Sequence, residues 1–263
     1  MRLVHNPPGA LTRRGILIGM PEPLLPMPAD WQRALAIVAH PDDMEYGAAG
    51  AVARWTGEGR EVAYLMVTRG EAGIDGIAPA ESAPLREAEQ IASAAVVGVS
   101  TVEFLDHRDG VVEAGLPLRR DLSRAIRRHK PELVITLNHR DHWAPGTWNS
   151  ADHRAVGQSV LDAVGDAGNR WIFPELVEEG HEPWGGVRWV ALANSPRSTH
   201  GLDITATLDA SVASLAEHKA YIAALSDKPV EEYAREFLSM IGKASGERMG
   251  CALAASFELI TTG

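Results

Sequence analysis

The stretch Leu35-Ala36-Ile37-Val38-Ala39-His40-Pro41-Asp42-Asp43 constrains this chain more than any other. Five apolar residues of strand type run straight into a histidine, a proline and two carboxylates. Glu45, Gly47 and Gly50 follow, leading into a helix-like segment. In open α/β sheets, ligands bind outside the carboxyl ends of the strands, so the first strand delivers its polar residues to the place where chemistry is usually done. His40 and Asp43 offer a nitrogen and an oxygen ligand, both suited to zinc, and Asp42 between them is free to act as a base. Pro41, with a fixed φ and no N–H, stiffens the turn that aims these side chains. The competing reading is a helix cap, with Asp42 or Asp43 as N-cap and His40 incidental.

The rest of the chain repeats the strand–helix order. Strands are expected at 35–39, 62–68, 101–105, 133–137, 188–193 and 252–260. Helices are expected at 47–58, 84–97, 116–129, 154–164, 208–225 and 230–241. Residues 133–137, Leu-Val-Ile-Thr-Leu, are apolar but for one β-branched threonine, the kind of strand buried in a parallel sheet. This alternation implies an α/β fold with a mainly parallel sheet and helices on both faces. Residues 1–30 carry Pro21, Pro23, Pro26 and Pro28 close behind a short apolar piece. That piece is too short for a secretory signal, so 1–30 reads as an extended arm that packs on its own domain or reaches a neighbouring subunit in a homo-oligomer. Residues 31–263 read as one domain.

Composition narrows the partners. With a net charge of −10, a nucleic-acid backbone is a poor partner. No apolar run approaches the ~20 residues of a membrane span. The single cysteine, Cys251, allows no internal disulfide and no multi-cysteine metal site, which points to a reducing, cytoplasmic setting.

A second polar stretch follows the strand at 133–137. It holds His139, Asp141, His142, Trp143, Trp148, Asn149, Asp152 and His153, and a helix follows. His40, Asp43 and His153 together make a two-histidine, one-carboxylate set, and a catalytic zinc needs about three protein ligands and an open position. His153 sits near a helix start, where the dipole disfavours its cationic form and leaves a nitrogen free for metal. Taken alone, His153 reads as a structural histidine; paired with the first stretch, it reads as a ligand. Mixed nitrogen and oxygen sites also accept iron, cobalt or nickel.

The two stretches carry a family resemblance. Ala39-His40-Pro41-Asp42-Asp43-Met44-Glu45-Tyr46-Gly47 and Asp152-His153-Arg154-Ala155-Val156-Gly157 resemble the PIG-L/LmbE-like zinc-dependent N-deacetylases. Supporting matches are Thr68-Arg69-Gly70-Glu71-Ala72-Gly73, Arg86 with Glu89, Asp109-Gly110, His200-Gly201-Leu202-Asp203-Ile204-Thr205, and Leu215 with His218. The resemblance spans roughly 33–260 and implies a Rossmann-like, LmbE-like fold. It also implies hydrolysis of an N-acetyl or related acyl group on an amino sugar or glycoconjugate. By position it makes His40, Asp43 and His153 the metal ligands, Asp42 the general base and metal-bound water the nucleophile. Glu71, Arg86 and Asp109 fall where relatives contact substrate, and Trp148 is placed to stack on a sugar or acyl face.

One position departs from the pattern. Relatives commonly carry a histidine three residues before the second metal-binding histidine, and here that residue is Ser150. Serine cannot protonate a leaving amine at neutral pH. The expectation is therefore that His142, in the same loop as His153, takes over as general acid, with His139 and His200 behind it, or that Asp42 returns its own proton. Three rival functions stay open. One is an amidase acting on a thiol conjugate or a larger acyl group. Another is a non-catalytic, metal-containing sugar-binding module. The third, a nucleotide-binding protein, lacks the Gly-x-Gly-x-x-Gly turn after the first strand.

Overall fold

The computed structural model describes residues 22–262. A two-residue strand, β1 (Leu25–Pro26), precedes β2 (Arg33–Val38), the short helix α1 (Asp43–Gly47) and α2 (Ala49–Gly57). Then come β3 (Glu61–Met66), α3 (Pro79–Val96), β4 (Thr101–Phe104), α4 (Leu116–His129) and β5 (Leu133–Leu137). A small ribbon, β6 (His142–Ala144) with β7 (Thr147–Trp148), leads into α5 (Ala151–Ala167) and the one-turn α6 (Glu175–Glu178). The chain closes with β8 (Trp189–Ala193), β9 (His200–Asp203), α7 (Leu208–Leu215), α8 (Lys219–Leu225), α9 (Val230–Met249) and β10 (Ala254–Thr261).

The main sheet runs β1-β9-β10-β8-β5-β2-β3-β4. Every neighbouring pair is parallel except the two made by β10, which lies antiparallel between β8 and β9. The chain builds outward from β2 through β3 to β4, then returns to place β5 on the other side of β2. That reversal opens a crevice at the carboxyl ends of β2 and β5, the usual ligand position in such sheets. Successive residues of β2 divide between two cores, as strand geometry requires. Ala34, Ala36 and Val38 pack with Trp31, Val52, Trp55 and Phe257 on one face. Leu35 and Ile37 pack with Leu118, Leu122, Val156 and Val160 from α4 and α5 on the other. A third cluster, with Val212, Leu215, Ile222, Ala234 and Leu238, ties α7, α8 and α9 together. Among the described residues, no helix is long and apolar enough to cross a membrane.

Several bounds differ from the sequence expectation. Helix α3 starts at Pro79, a proline in the favoured first turn, and carries Pro84 within it instead of beginning there. The span 208–225 is two helices, broken around His218, which turns inward and is fully buried. Helix α9 continues past 241 to Met249, because Gly242 and Gly246 let it press on the chain before β10. A Cβ at Gly246 would lie 2.7 Å from the carbonyl oxygens of Cys251 and Ala252. Of the arm expected at 1–30, residues 1–21 lie outside the described residues. The part that is described packs on the molecule's own sheet edge: β1 pairs with β9, and Leu24 and Met27 are buried.

Candidate metal centre and active-site cleft

At the end of β2, Asp43 anchors the turn by accepting a hydrogen bond from the His40 backbone N–H at 2.9 Å. Asp42 occupies the N-cap position of α1, yet its side chain makes no capping hydrogen bond. The cap reading therefore does not explain it. Its backbone is left-handed, with φ +88°, a conformation that costs a non-glycine residue of order 1–3 kcal/mol and persists only when its surroundings enforce it. Those surroundings are specific. The Asp42 N–H donates to Gln90 Oε1 at 2.8 Å, Arg86 Nη2 donates to Asp42 Oδ2 at 2.9 Å, and the same guanidinium nitrogen donates to the Pro41 carbonyl at 2.5 Å. Behind Gln90, its Nε2 and the Ser93 hydroxyl both donate to Glu45 Oε1, and His218 lies 3.5 Å from Glu45 Oε2. Arg86, Gln90 and Ser93 sit on one face of α3, so one helix grips the turn through side chains at helical spacing.

His153 comes from the first turn of α5. Ser150 caps that helix, its hydroxyl accepting the His153 N–H at 3.1 Å. The ring is also oriented: Asn149 Oδ1 lies 3.0 Å from Nδ1, and Asn149 is held by donating Nδ2 to the carbonyls of Asn138 and Arg140. Since the amide oxygen only accepts, Nδ1 carries the proton and Nε2 is left free, 3.0 Å from Asp43 Oδ1. His40 is oriented in the complementary way. Its Nε2 lies 3.1 Å from both Asp152 Oδ2 and Asp109 Oδ1, so that nitrogen carries the proton and Nδ1 faces Asp43 at 3.6 Å. Asp152 is itself fixed by the N–H groups of Gly110 and Val112.

These donors suit a divalent metal ion. One ligand atom each from His40, Asp43 and His153 lies within 4.8 Å of the others, and both tautomers turn a bare nitrogen toward Asp43. Carboxylate and amide partners on the far side of each ring are the usual support for metal-binding histidines. The charges agree. Burial alone would depress the His40 imidazole, but Asp43, Asp109 and Asp152 outweigh it and hold it well above the ordinary histidine value. Burial would raise Asp43, but His153 and His40 pull it far below the carboxylate range. Asp42 goes the other way: burial raises it, and Arg86 only partly opposes. Asp42 is 5% exposed and Asp43 4%, so both carboxylates act in a largely water-free place.

His40, Asp42, Asp43, Arg86, Asp109 and His153 all line one cavity of about 840 Å³. The other expected contacts are placed differently. Glu71 stitches two loops, accepting the N–H groups of Asp109 and Arg69. Arg86, which does line the cavity, is 1% exposed and gives Nη2 to Asp42, while its Nε and Nη1 have no hydrogen-bond partner among the described residues. Trp148 is 62% exposed, outside the cavity, with Arg154 over its ring and the His142 ring against its edge. His142 is thus turned outward with it, and neither His139 nor His200 lines the cavity. The aromatic residue that does enter from this ribbon is Trp143, 5.5 Å from the His153 ring. Tyr221 and Phe237 line the same cavity and Gln90 positions the site from behind, and none of them is named from the sequence; Tyr46, in the cavity, and Asn149, behind it, belong to the two polar stretches but have no role assigned there. The spacing of Arg86, Gln90 and Ser93 on a helix face was the available signal for Gln90.

A mainly parallel α/β sheet with a buried histidine–carboxylate cluster at its switch point defines a Rossmann-like protein with a candidate metal-dependent catalytic centre. The comparisons with known proteins agree. The family described as PIG-L, GlcNAc-PI de-N-acetylase, matches residues 35–164, which carry both polar stretches. A diacetylchitobiose deacetylase of Thermococcus kodakarensis is 27% identical over 221 residues, covering 83% of this chain and 81% of that protein. A probable N-acetyl-alpha-D-glucosaminyl L-malate deacetylase 2 of Bacillus anthracis is 29% identical over 140 residues, covering 51% of this chain and 59% of that protein. The solved N,N'-diacetylchitobiose deacetylase of Pyrococcus horikoshii superposes with a TM-score of 0.79 at 24% identity, covering 88% of this chain and 84% of that one. The chain is thus similar to the PIG-L family over residues 35–164 and is an enzyme of the N-deacetylase class.

Proposed function

We propose that the protein hydrolyses the N-acetyl amide of a substrate built on N-acetylglucosamine, with His40, Asp43 and His153 holding a zinc ion and Asp42 acting as the base. The observation that carries this reading is the pair of fixed tautomers that turn bare nitrogens from both histidines toward Asp43, with Asp42 alongside. The relatives named above act on N-acetylglucosamine-containing molecules, which gives the substrate class. A divalent ion bound by the three ligands supplies Lewis acidity toward the amide oxygen and acidifies water.

The chain's own residues do the rest. Asp42 is buried and its carboxyl is raised, so it takes a proton from the attacking water and holds it for the leaving amine. Arg86 keeps that carboxyl from being fully neutralised and fixes its orientation. Asp152 and Asn149 hold the two imidazoles in the metal-binding tautomer. Asp109 lines the cavity beside His40 and is placed to accept a sugar hydroxyl.

The test is acetate release from N-acetylglucosamine and N,N'-diacetylchitobiose, before and after chelation and with zinc restored. Release that stops with chelator and returns with zinc is expected. No release from either sugar, with metal bound, would refute the reading.

A further inference from the structure

Strand β10 buries a carboxylate beside the apolar core under α4 and α5. Phe257 joins the opposite core, with Val52 and Trp55. Glu258 alternates with it and shares a face with Ile260, which packs on the α4–α5 core. Glu258 is 9% exposed, and burying a carboxylate is costly unless it is paired and hydrogen-bonded. Here it is both. Arg140 donates to Oε1 through Nη2 and to Oε2 through Nε at 3.4 Å, and the Ser195 hydroxyl donates to Oε2 at 2.5 Å. Burial would raise the Glu258 carboxyl, but Arg140 and Ser195 hold it below its ordinary value. Such a pair adds little to stability, since apolar residues of similar volume often do as well. What a two-point arginine–carboxylate contact adds is fixed geometry.

The geometry it fixes is that of the loop between β5 and β6. The Arg140 N–H donates to Asn138 Oδ1 at 2.9 Å, and Asn138 Nδ2 donates to the His142 carbonyl at 2.9 Å. The Asn138 N–H donates to the Ala193 carbonyl at 3.0 Å. Helix α5 presses on the loop from the other side: a Cβ at Gly157 would lie 2.6 Å from the His139 Cβ and 3.2 Å from the Leu137 carbonyl oxygen. The loop is therefore clamped between β10 and α5. It turns two carbonyls, those of Asn138 and Arg140, onto Asn149 Nδ2 at 2.7 and 3.0 Å.

An asparagine amide has much the same shape either way round. These two carbonyls decide its orientation, because they only accept and so both claim the NH₂, leaving Oδ1 for His153 Nδ1. With the amide reversed, the NH₂ would face Nδ1, and the proton of a neutral ring would move to Nε2, the atom that faces Asp43. We infer that the Arg140–Glu258 pair positions the metal ligand His153: it holds the two carbonyls that orient Asn149, and so keeps Nε2 bare. Arg140 and Glu258 are positioning residues and act through Asn149. The consequence for zinc rests on the metal reading above; the grip on Asn149 does not.

The experiment compares full-length wild type with Arg140→Met, the isosteric Glu258→Gln, the double variant and Asn149→Leu. In chelator-stripped protein, solvent exchange of the Asn149 side-chain amide protons is followed by NMR, with Asn149→Leu giving the assignment. Zinc affinity is measured by competition titration, and Tm is recorded beside both. Asn149→Leu should weaken zinc binding ~10–100-fold, as loss of a ligand's supporting partner does, and Arg140→Met and Glu258→Gln each ~3–10-fold. The two should also speed amide exchange ~10-fold or more. The double variant should be no worse than Arg140→Met by more than ~2-fold, as expected of residues acting as one unit. A fall in Tm with amide exchange and zinc affinity unchanged overturns the inference, since the pair then only holds β10 in place. So does a loss in Asn149→Leu with none in the other two. If Arg140→Met does not fold, Glu258→Gln alone decides. Wild type that takes up no divalent ion would refute the metal reading, and amide exchange would then decide this one.

Discussion

Replacing Arg86 by methionine tests whether that residue serves Asp42 or the substrate. The guanidinium is 1% exposed, donates to Asp42 Oδ2 at 2.9 Å and to the Pro41 carbonyl, and lies 3.9 Å from the centre of the Tyr221 ring. Methionine keeps much of the volume and removes the charge. Breaking one side of a buried ion pair costs about 3–5 kcal/mol, so Tm should fall by roughly 10 °C for a chain of this size. The loss should depend on pH with a definite sign. Burial already raises the Asp42 carboxyl and Arg86 opposes it, so removing Arg86 raises it further. A carboxyl raised in the folded state holds its proton where the unfolded chain, titrating near ~4, has released it. The deficit is then smallest at about pH 4 and grows as pH rises through the raised value. Denaturation of chelator-stripped protein at several pH values measures this. In the metal-loaded enzyme, kcat should fall by ~10² or more, because the base is both misplaced and over-protonated, and KM should change little. In an Asp42→Asn background the same substitution should cost ~2 kcal/mol less in stability, a coupling expected of residues in contact. A variant with unchanged Tm and only a raised KM would show that Arg86 grips substrate, as its position in the sequence first suggests.

Asp42→Asn should keep the fold and the metal while kcat falls ~10²–10⁴-fold, read by elemental analysis beside an acetate assay. His153→Ala should leave the protein folded but with substoichiometric metal after gel filtration, since two of three ligands rarely retain an ion against dilution. Asp152→Asn should weaken metal binding ~10–100-fold in a competition titration, because the amide can turn its NH₂ toward His40 and favour the wrong tautomer. His142→Gln should change kcat/KM less than ~3-fold at every pH tested, since its ring packs on Trp148 outside the cavity; a lost basic limb in the rate profile would restore it as the acid.

The parts legible in the sequence were those fixed by local chemistry. An apolar run ending in His40-Pro41-Asp42-Asp43 and a histidine at a helix start placed both halves of the site, because strand ends and helix starts meet in this class of sheet. The parts that were not legible depend on register and on breaks. In the ribbon at 142–148, successive side chains point to opposite faces. A shift of one residue decides whether Trp143 or His142 enters the cleft, and a short polar ribbon has no core face to fix that register in advance. The helical pattern through 208–225 is continuous in propensity, yet it breaks where His218 turns inward beside Glu45. Gly242 reads as a helix end, and only the close approach of Leu253, 3.3 Å from where its Cβ would sit, shows it to be a packing residue. Arg86 reads as a first-turn residue if α3 begins at Pro84. Starting at Pro79, the helix carries Arg86, Gln90 and Ser93 onto the turn that holds Asp42.

The serine at position 150 now has a local reason. It caps the helix that carries His153, accepting that residue's own N–H, and serine is among the preferred N-caps. Among the described residues, the histidines that line the cavity are His40 and His153, and both nitrogens of each are engaged in the ligand arrangement. No imidazole is left over to protonate a leaving amine. Tyr221 also lines the cavity, but burial pushes its phenol up, so it donates a hydrogen bond and does not release its proton. Asp42 is the remaining group whose ionisation lies on the useful side: raised by burial, restrained by Arg86, and set beside the metal ligands. A carboxyl in that position can take the proton of water on one side of the tetrahedral carbon's lifetime and return it on the other. On the mechanism proposed above, the departure from the family pattern at Ser150 would concentrate both proton transfers on Asp42, the residue that Arg86 and Gln90, with Glu45 and His218 behind them, hold in a left-handed turn.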